Sequence, residues 1–271
     1  MIPKMDYVIV TYNDADTILE TMESIRKQEN VNRIIVVASE RCTDGTLKML
    51  EALNLTKNDP EVLLTEDVGL AYARELAIQA VGTEWFVFVD ADVVLSDTWI
   101  KEMYDNMQYC LGFNFLGGMV GYLYRNKEQE EDLKIHCDTR VITDRMFTHN
   151  TIIRRKAVVD WKPNLELNAY EDYSLTQHMI KKGYMCFAVR VLSFHDHRGS
   201  AWKEATWGGA GAKVSGYYKN VLAPLKYMIG SIYGGFRRAV RQRKSSFLKI
   251  SIIKGVGTFW GYIRAGKYQR K

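Results

Sequence analysis

Two aspartates, Asp90 and Asp92, stand one residue apart directly after the apolar residues 86–89. A short apolar run of this kind is typical of a buried strand, and open α/β sheets bind ligands beyond the carboxyl ends of their strands. Two close carboxylates at such a place can hold a divalent cation, which in turn binds phosphate groups. The pair therefore indicates metal-assisted chemistry on a phosphorylated substrate.

The same pair is compatible with two other roles. Residues 90–94 have the Asp-x-Asp form that begins the site of haloacid-dehalogenase phosphatases. Alternatively, the aspartates are solvated beside a helix that Ser96 or Asp97 caps. A phosphatase of that class also needs a later acidic motif, and neither Asp-Asp nor Gly-Asp-x-x-x-Asp follows in the sequence. The phosphatase hypothesis is therefore the weaker one.

The elements that must position these residues alternate through the first half of the chain. Short apolar runs that predict strands are separated by patterns that predict helices, and this alternation indicates βαβ units with a parallel sheet. The strands are predicted at residues 7–11, 33–37, 62–65 and 85–90, and the helices at 16–28, 46–54 and 70–81. Further along, we predict helices over 97–107 and 170–182, strands over 115–124, 151–154 and 184–192, and an exposed segment over 126–140.

The composition is that of an ordinary globular protein, with 47% hydrophobic and 25% charged residues in a chain of 271. The four cysteines form no Cys-x-x-Cys pair, which argues against a zinc knuckle or a disulfide framework and indicates a reducing compartment. The chain reaches its first apolar strand within seven residues. We therefore expect no signal peptide and a cytoplasmic location.

Charge is distributed very unevenly along the chain. Residues 205–271 contain 14 Lys and Arg and no Asp or Glu, whereas residues 1–204 carry a net charge of −9. Two apolar runs in the basic part are too short to span a bilayer and contain lysines, which favours helices lying in the plane of a membrane. We expect a basic helical extension over 205–271 that binds an anionic membrane surface from the cytoplasmic side. Packing onto residues 1–204 is the alternative, and no motif indicates nucleic-acid binding.

Several short polar motifs follow one another in the order found in a known family. They are Thr11-Tyr12-Asn13, Asp44-Gly45-Thr46, the Gly-x-x-x-Ala-Arg pattern that ends at Arg74, Asp90-x-Asp92, Glu171-Asp172 and His195-x-His197. Over approximately residues 5–200 the chain resembles the family 2 glycosyltransferases. The resemblance implies the GT-A fold, a Rossmann-like α/β architecture whose mostly parallel central sheet is flanked by helices.

The resemblance also implies a site for a nucleotide-diphosphate sugar. Its contacts would be Thr11, Tyr12, Asn13, Glu40, Asp44, Arg74 and Asp90. Family members usually carry an aspartate after the second strand, and here Glu40 is the possible substitute. Asp44 has an equally good alternative role as a cap of the following helix. For Arg74 the alternative is a surface ion pair with Glu75 or Glu66.

By the same resemblance, Asp90, Asp92, His195 and His197 would hold Mn²⁺ or Mg²⁺. The two histidines would share one face of an extended strand, and one of them could instead be structural. Asp172 would be the base that takes the acceptor's proton, while Glu171 orients it or binds the acceptor. The alternative for this pair is that acidic residues favour helix N-termini.

These features predict an inverting, metal-dependent enzyme that adds one sugar to a lipid-linked or membrane-proximal acceptor, either a glycan or a polyprenyl phosphate. The Gln-x-x-Arg-Trp signature of processive synthases is absent from the sequence. A sugar-nucleotide pyrophosphorylase would need a Gly-rich loop where Thr11 and Tyr12 stand. A nucleotide-sugar-binding protein without transfer activity is the remaining alternative.

Overall fold

The computed structural model describes residues 1–53, 61–66, 69–111, 115–165, 169–196, 200–242 and 245–265. The chain divides into two compact units. The first unit combines residues 1–163 with residues 172–197, and the second combines residues 164–171 with residues 198–271. The division expected at residue 204 falls within the first helix of the second unit and remains a prediction.

The first unit is built on one sheet, to which nine strands of the described residues belong. The strands are β1 Met5–Thr11, β2 Val31–Ser39, β3 Glu61–Thr65, β4 Trp85–Asp90, β5 Val93–Leu95, β6 Leu116–Tyr124, β7 Arg140–Ile142, β8 Asn150–Arg154 and β9 Met185–His195. The helices of this unit are α1 Ile18–Arg26, α2 Thr46–Leu53, α3 Leu70–Ala80, α4 Trp99–Leu111, α5 Lys127–His136 and α6 Arg155–Val158, together with α7 Glu171–Lys181, whose first residue belongs to the second unit. The strand order is β3-β2-β1-β4-β8-β6-β9-β5, and β7 pairs with β9.

The predicted βαβ half of the sheet is confirmed. Strand β1 pairs in parallel with both β2 and β4, and β2 pairs in parallel with β3. The register sets Val10 beside Asp90 and Thr11 beside Ala38, so three strands end at one rim. This rim is the edge beyond which parallel α/β sheets bind their ligands.

The other half of the sheet is mixed rather than parallel. Strand β8 runs antiparallel to both of its neighbours, β4 and β6, whereas β6 and β9 pair in parallel. The pairing of Val89 with Asn150 therefore places the beginning of β8 at the same rim as the end of β4. The sheet is thus parallel throughout from β1 to β4, and beyond β4 it combines the parallel pair β6–β9 with antiparallel pairs, because β8 enters in the opposite direction.

A change of register between β6 and β9 depends on Gly121. A Cβ atom at this residue would lie 2.5 Å from the carbonyl oxygen of Val191 and 2.8 Å from Nδ2 of Asn150. Only glycine permits so close an approach of two strands. Beyond this shift, β9 continues to the rim, where it pairs with β5.

Apolar side chains cover both faces of the central strands. In β1, Tyr7 and Ile9 pack into one core cluster and Val8 packs into the other. In β4, Val87 and Phe88 are divided in the same way. A sheet buried on both faces explains why its central strands have continuous apolar runs instead of alternating ones.

The second unit contains three helices, α8 Ala201–Val214, α9 Leu222–Gln242 and α10 Ser246–Ile263. Helix α10 packs closely against α8, because a Cβ at Gly261 would lie only 1.8 Å from the carbonyl oxygen of Thr206. Such contact of helix backbones requires small residues at the crossing. Within the described part of the chain, no helix is both long enough and apolar enough to cross a bilayer.

Candidate functional site

The loop after β1 is closed by hydrogen bonds to one carboxylate. Oδ2 of Asp14 accepts bonds from Oγ1 of Thr11 at 2.8 Å and from the backbone N–H of Tyr12 at 3.0 Å. Asn13 adopts a left-handed conformation with φ 61°, while the Tyr12 side chain remains 55% exposed. The loop thus holds a backbone turn at the rim with an aromatic ring turned to solvent.

A second loop, after β2, is tied to the first one. Oδ1 of Asn13 accepts a bond from the backbone N–H of Thr43 at 2.7 Å. The two oxygens of Asp44 accept bonds from the backbone N–H groups of Ala15 at 2.9 Å and Thr46 at 3.0 Å. Asp44 therefore accepts a hydrogen bond at the start of α2, as expected if it caps this helix. Its bond to Ala15 also links the two loops.

The pKa of Asp44 is lowered as a result. Partial desolvation alone would raise it, but the hydrogen bonds from Thr46 and Ala15 stabilise the charged carboxylate more strongly. Glu40, the other candidate in this region, lies exposed at the end of β2.

Arg74 lies on α3 and is buried, with 5% of its surface exposed. Its Nη2 is 3.3 Å from Oδ1 of Asp90, so the predicted donor arginine and the predicted aspartate are brought together. Glu75, the partner in the alternative interpretation, instead forms an ion pair with Lys162 at 2.6 Å. The guanidinium of Arg74 is thus part of the rim site.

Asp92 and His195 also meet, although 103 residues separate them. The antiparallel pairing of β5 with β9 sets Val93 opposite His195 and brings Nε2 of the histidine to 3.0 Å from Oδ2 of Asp92. His197, the second predicted histidine ligand, lies outside the described residues.

Negative charge is concentrated at this part of the rim. Desolvation raises the pKa of Asp90, and the nearby Asp92 and Asp172 carboxylates raise it further against the opposing effect of Arg74 and His195. Desolvation also raises the pKa of Asp14, and Asp92 contributes to that increase. A cation at the rim would relieve this repulsion.

The residues present fit a divalent ion that a ligand helps to hold. No group of three or more His, Cys, Asp or Glu side chains in the described ranges is arranged to bind a metal unaided. However, Mg²⁺ is commonly held by one or two carboxylates together with substrate phosphates. Oδ2 of Asp92 and Nε2 of His195, which lie 3.0 Å apart, are the side-chain atoms that would hold such an ion.

Asp172, the predicted base, is buried at the beginning of α7 and lies next to the buried Glu171. The guanidinium of Arg145 donates hydrogen bonds to both carboxylate oxygens of Asp172. Nη2 of Arg145 lies 3.3 Å from Oδ1 and 3.2 Å from Oδ2 of Asp172, and Nε of Arg145 lies 3.3 Å from Oδ2. This fork fixes the orientation of the carboxylate. No sequence pattern marks Arg145, because it lies between β7 and β8 and belongs to no recognised motif.

His149 is a second residue at the rim that the sequence analysis missed. Its carbonyl oxygen accepts the backbone N–H of Asp90 at 3.0 Å, and its Nδ1 lies 2.8 Å from Oδ1 of Asn150. Nδ2 of Asn150 donates to Oγ of Ser193 at 2.9 Å, which leaves Oδ1 of the amide to accept from His149. Nδ1 of His149 is therefore the protonated ring nitrogen.

Desolvation, reinforced by the charges of His195 and Arg74, lowers the pKa of His149 to about 3, although the bond to Asn150 acts in the opposite direction. The ring is thus neutral at physiological pH. The only signal in the sequence was a Thr-His-Asn run ahead of a strand. This run can be assigned to the rim only when β8 is known to be antiparallel to β4, because the rim then lies at the beginning of β8 and not at its end.

Comparison with known families agrees with this geometry. A family model described as glycosyl transferase family 2 matches residues 6–160, more than half of the chain. The matched segment contains the two tied loops, Arg74, Asp90 and Asp92.

Two curated bacterial relatives are named for teichoic acid and for teichuronic acid biosynthesis. The chain is 31% identical over 201 residues to the teichoic acid poly(glycerol phosphate) polymerase of Staphylococcus epidermidis, a match that covers 70% of this chain and 28% of the polymerase. It is 23% identical over 223 residues to the putative teichuronic acid biosynthesis glycosyltransferase TuaG of Bacillus subtilis, covering 76% and 86% respectively. The chain thus spans little more than a quarter of the polymerase but most of TuaG.

A solved structure with the same architecture is the mannosyltransferase PcManGT from Pyrobaculum calidifontis in complex with GDP-Man and Mn²⁺. The TM-score is 0.61 at 16% identity, and the match covers 98% of this chain and 74% of that one. At this identity the likeness concerns the fold, and it confirms the GT-A architecture. Because the family model covers more than half of its length, the chain belongs to glycosyl transferase family 2.

Proposed function

We propose that this glycosyltransferase moves one sugar from a nucleotide-diphosphate sugar to an acceptor hydroxyl, with inversion at the anomeric carbon. The observation that carries the proposal is the meeting of three side-chain pairs in the first unit: Arg74 with Asp90, Asp92 with His195, and Arg145 with Asp172. The names of the curated relatives support a role in the synthesis of a cell-wall glycan.

The donor would bind at the rim formed by β1, β2 and β4. Asp92 and His195 would hold Mg²⁺ or Mn²⁺ together with the donor diphosphate, with Asp90 beside them. When bound, such an ion supplies charge stabilisation for the departing nucleoside diphosphate. The loop of Thr11, Tyr12 and Asn13 would receive the nucleotide, and Arg74 would keep Asp90 oriented.

Asp172 would take the proton of the acceptor hydroxyl as its oxygen attacks the anomeric carbon. The fork of Arg145 supports this role because it holds the carboxylate in one orientation. A single displacement of this kind inverts the anomeric centre. Glu171, adjacent in the chain and buried, would contact the acceptor.

An anionic membrane surface is the partner that we propose for the second unit. One face of α9 carries Leu222, Ile229, Tyr233, Phe236 and Val240, all more than half exposed and spaced by seven, four, three and four residues. This spacing puts them in a single stripe along the helix. Monomeric soluble proteins rarely expose a contiguous apolar surface of this kind, so we expect a partner to cover it.

Charge identifies the chemistry of that partner. The exposed residues Lys226, Arg237 and Arg241 also lie on α9, and residues 205–271 contain no acidic residue. Each basic residue near an anionic lipid surface contributes about 1 kcal/mol of attraction. The proposed location is therefore the cytoplasmic face of the membrane, close to a lipid-linked or other membrane-proximal acceptor.

A donor screen tests the transfer site. The purified chain is given Mn²⁺ or Mg²⁺ and a panel of UDP-, GDP- and dTDP-sugars, and the release of nucleoside diphosphate is measured. We expect release from one donor that EDTA abolishes and that Asp92→Ala reduces by at least 100-fold. The matched control is Asp97→Ala, since Asp97 is an exposed aspartate nearby. Donor binding without any release, even with a membrane lipid extract as acceptor, would support a non-catalytic binding protein instead.

Vesicle co-sedimentation tests the membrane surface. We expect binding to phosphatidylcholine vesicles that contain phosphatidylglycerol, little binding to phosphatidylcholine alone, and at least tenfold weaker binding of the double variant Ile229→Asp/Phe236→Asp. Ile135→Asp is the control, because Ile135 is an exposed apolar residue of α5 in the first unit. Equal binding to both kinds of vesicle would contradict the proposal.

A further inference from the structure

A pocket of about 340 Å³ lies in the first unit, outside all of the motifs that pointed to the transfer site. Its walls come from β6, β7, β9 and the segment that precedes β8, and its volume is within the range of small-ligand pockets, about 300–1,000 Å³. The lining residues that matter for its chemistry are Tyr122, Val141, Ile142, Arg145, Phe147 and His149.

Two of these residues join the pocket to the transfer site. Arg145 holds the carboxylate of Asp172, and the carbonyl oxygen of His149 accepts the backbone N–H of Asp90. The pocket is therefore one residue removed from the proposed base, through Arg145, and one residue removed from Asp90, through His149. An acceptor has to bind close to the base in order to react, and this pocket adjoins the residue that holds the base.

Most of the pocket wall is apolar and accessible. Phe147 is 44% exposed and Ile142 is 62% exposed. The Phe147 ring is held in place, since it stacks on His149 with ring centres 5.5 Å apart and Cζ of Arg145 lies 4.5 Å from its centre. Because His149 and Arg145 both lie against the ring of Phe147, the apolar surface for the C–H groups of a ligand comes from the aliphatic side chains of Val141 and Ile142.

The polar groups of the pocket suit hydroxyls better than phosphates. Among the described lining residues Arg145 is the only Lys or Arg, and its charge is already compensated by the fork to Asp172. A phosphate here would approach a carboxylate without a cation of its own. Tyr122 and His149 both line the pocket, and their hydroxyl and imidazole groups are of the kind that bonds a neutral hydroxyl.

We propose that this pocket binds the sugar ring of a neutral, hydroxyl-bearing acceptor, with the C–H face of the pyranose on Val141 and Ile142. The inference rests on the proposed transferase function and narrows it, because it selects a glycan acceptor over a polyprenyl phosphate or a glycerol phosphate.

Ligand-observed saturation-transfer NMR on the full chain tests the pocket without requiring transfer. The probes are methyl glycosides of glucose, mannose and N-acetylglucosamine, together with glycerol 3-phosphate as the anionic alternative. We expect a signal from at least one glycoside, none from glycerol 3-phosphate, and at least a tenfold loss of glycoside affinity in Ile142→Asp. The exposure of Ile142 makes this variant safe for folding, and Phe147→Ala provides a second one.

The controls separate this proposal from the transferase proposal. Ile135→Asp introduces the same charge at another exposed isoleucine and should leave glycoside binding unchanged. Asp92→Ala should abolish metal-dependent donor cleavage yet retain the glycoside signal. A missing glycoside signal in the wild type, undiminished binding in both pocket variants, or a signal from glycerol 3-phosphate alone would overturn the pocket assignment. Each of these results is independent of whether the donor is cleaved.

Discussion

The two halves of the central sheet bring side chains to the same rim from opposite strand directions. In the half formed by β1, β2 and β4, the rim is reached where parallel strands end, at Thr11, Ser39 and Asp90. In the other half β8 runs antiparallel, so the rim is reached before that strand begins, at His149. Strand β9 contributes its last residue, His195.

The two halves also differ in how their side chains are used. In the parallel half, Asp14 and Asp44 accept backbone N–H groups and hold two loops in place. In the mixed half, Arg145 holds a carboxylate and an apolar pocket opens beside it. We therefore expect changes at the loop carboxylates of the parallel half to affect stability, and changes at Asp172 and Arg145 in the mixed half to affect turnover.

The largest expected effect comes from the base in the mixed half. Asp172→Asn keeps the shape of the side chain but removes its ability to take a proton. Turnover should fall by about 10²–10⁴-fold, while the KM for the donor changes little. Steady-state kinetics measure both quantities, and Asp144→Asn is a control at an exposed aspartate. Full transfer by Asp172→Asn would remove the residue from its assigned role.

Arg145 should act as a positioning residue for that base. Arg145→Gln breaks the fork to Asp172, so we expect kcat to fall about tenfold with no change in the KM for the donor. Arg145→Lys retains the charge and should restore part of the loss. A fall in kcat at unchanged KM indicates that Arg145 positions the base. If Arg145 had only a structural role, both variants would have the kcat of the wild type once they were folded.

His149 should make stability depend on pH. Its pKa is about 3 in the folded chain and about 6.5 when unfolded, so the unfolded state binds more protons between these values. The contribution of His149 to the free energy of unfolding should therefore fall as pH decreases below about 6.5, by up to about 1.4 kcal/mol per pH unit, and should not vary above it.

Urea unfolding at pH 7 and pH 5.5 measures this effect. His149→Gln should reduce the difference between the two pH values, whereas His136→Gln, at an exposed histidine of α5, should leave it unchanged. An equal loss of stability on acidification in the wild type and in His149→Gln would show that the imidazole is not kept neutral by its surroundings.

The smallest effect is expected in the parallel half, at Asp44. Asp44→Ala removes the bonds to Ala15 and Thr46, so the free energy of unfolding should fall by about 0.5–2 kcal/mol. Since both carboxylate oxygens are engaged by the protein, we expect the KM for the donor to change less than threefold. A tenfold rise in this KM at unchanged stability would instead favour direct nucleotide contact, and would weaken the contrast between the two halves.

Much of the fold was accessible from local sequence patterns. The predicted strand over 85–90 has the same bounds in the structure, and α7 spans Glu171–Lys181 where a helix over 170–182 was expected. The short strands β5 and β7 were not predicted. Each has three residues and depends on β9 for its pairing, which no local pattern records.

The sequence by itself determined the parallel half of the rim, because a parallel strand delivers the residues that directly follow its apolar run. Asp90 and Asp92 could therefore be placed from their position in the chain alone. Only the tertiary structure decided the mixed half, where His149 lies at the rim because β8 is antiparallel to β4. It likewise decided the contacts of Asp92 with His195 and of Asp172 with Arg145, since pairing between distant segments depends on strand direction and register, which spacing along the chain does not encode.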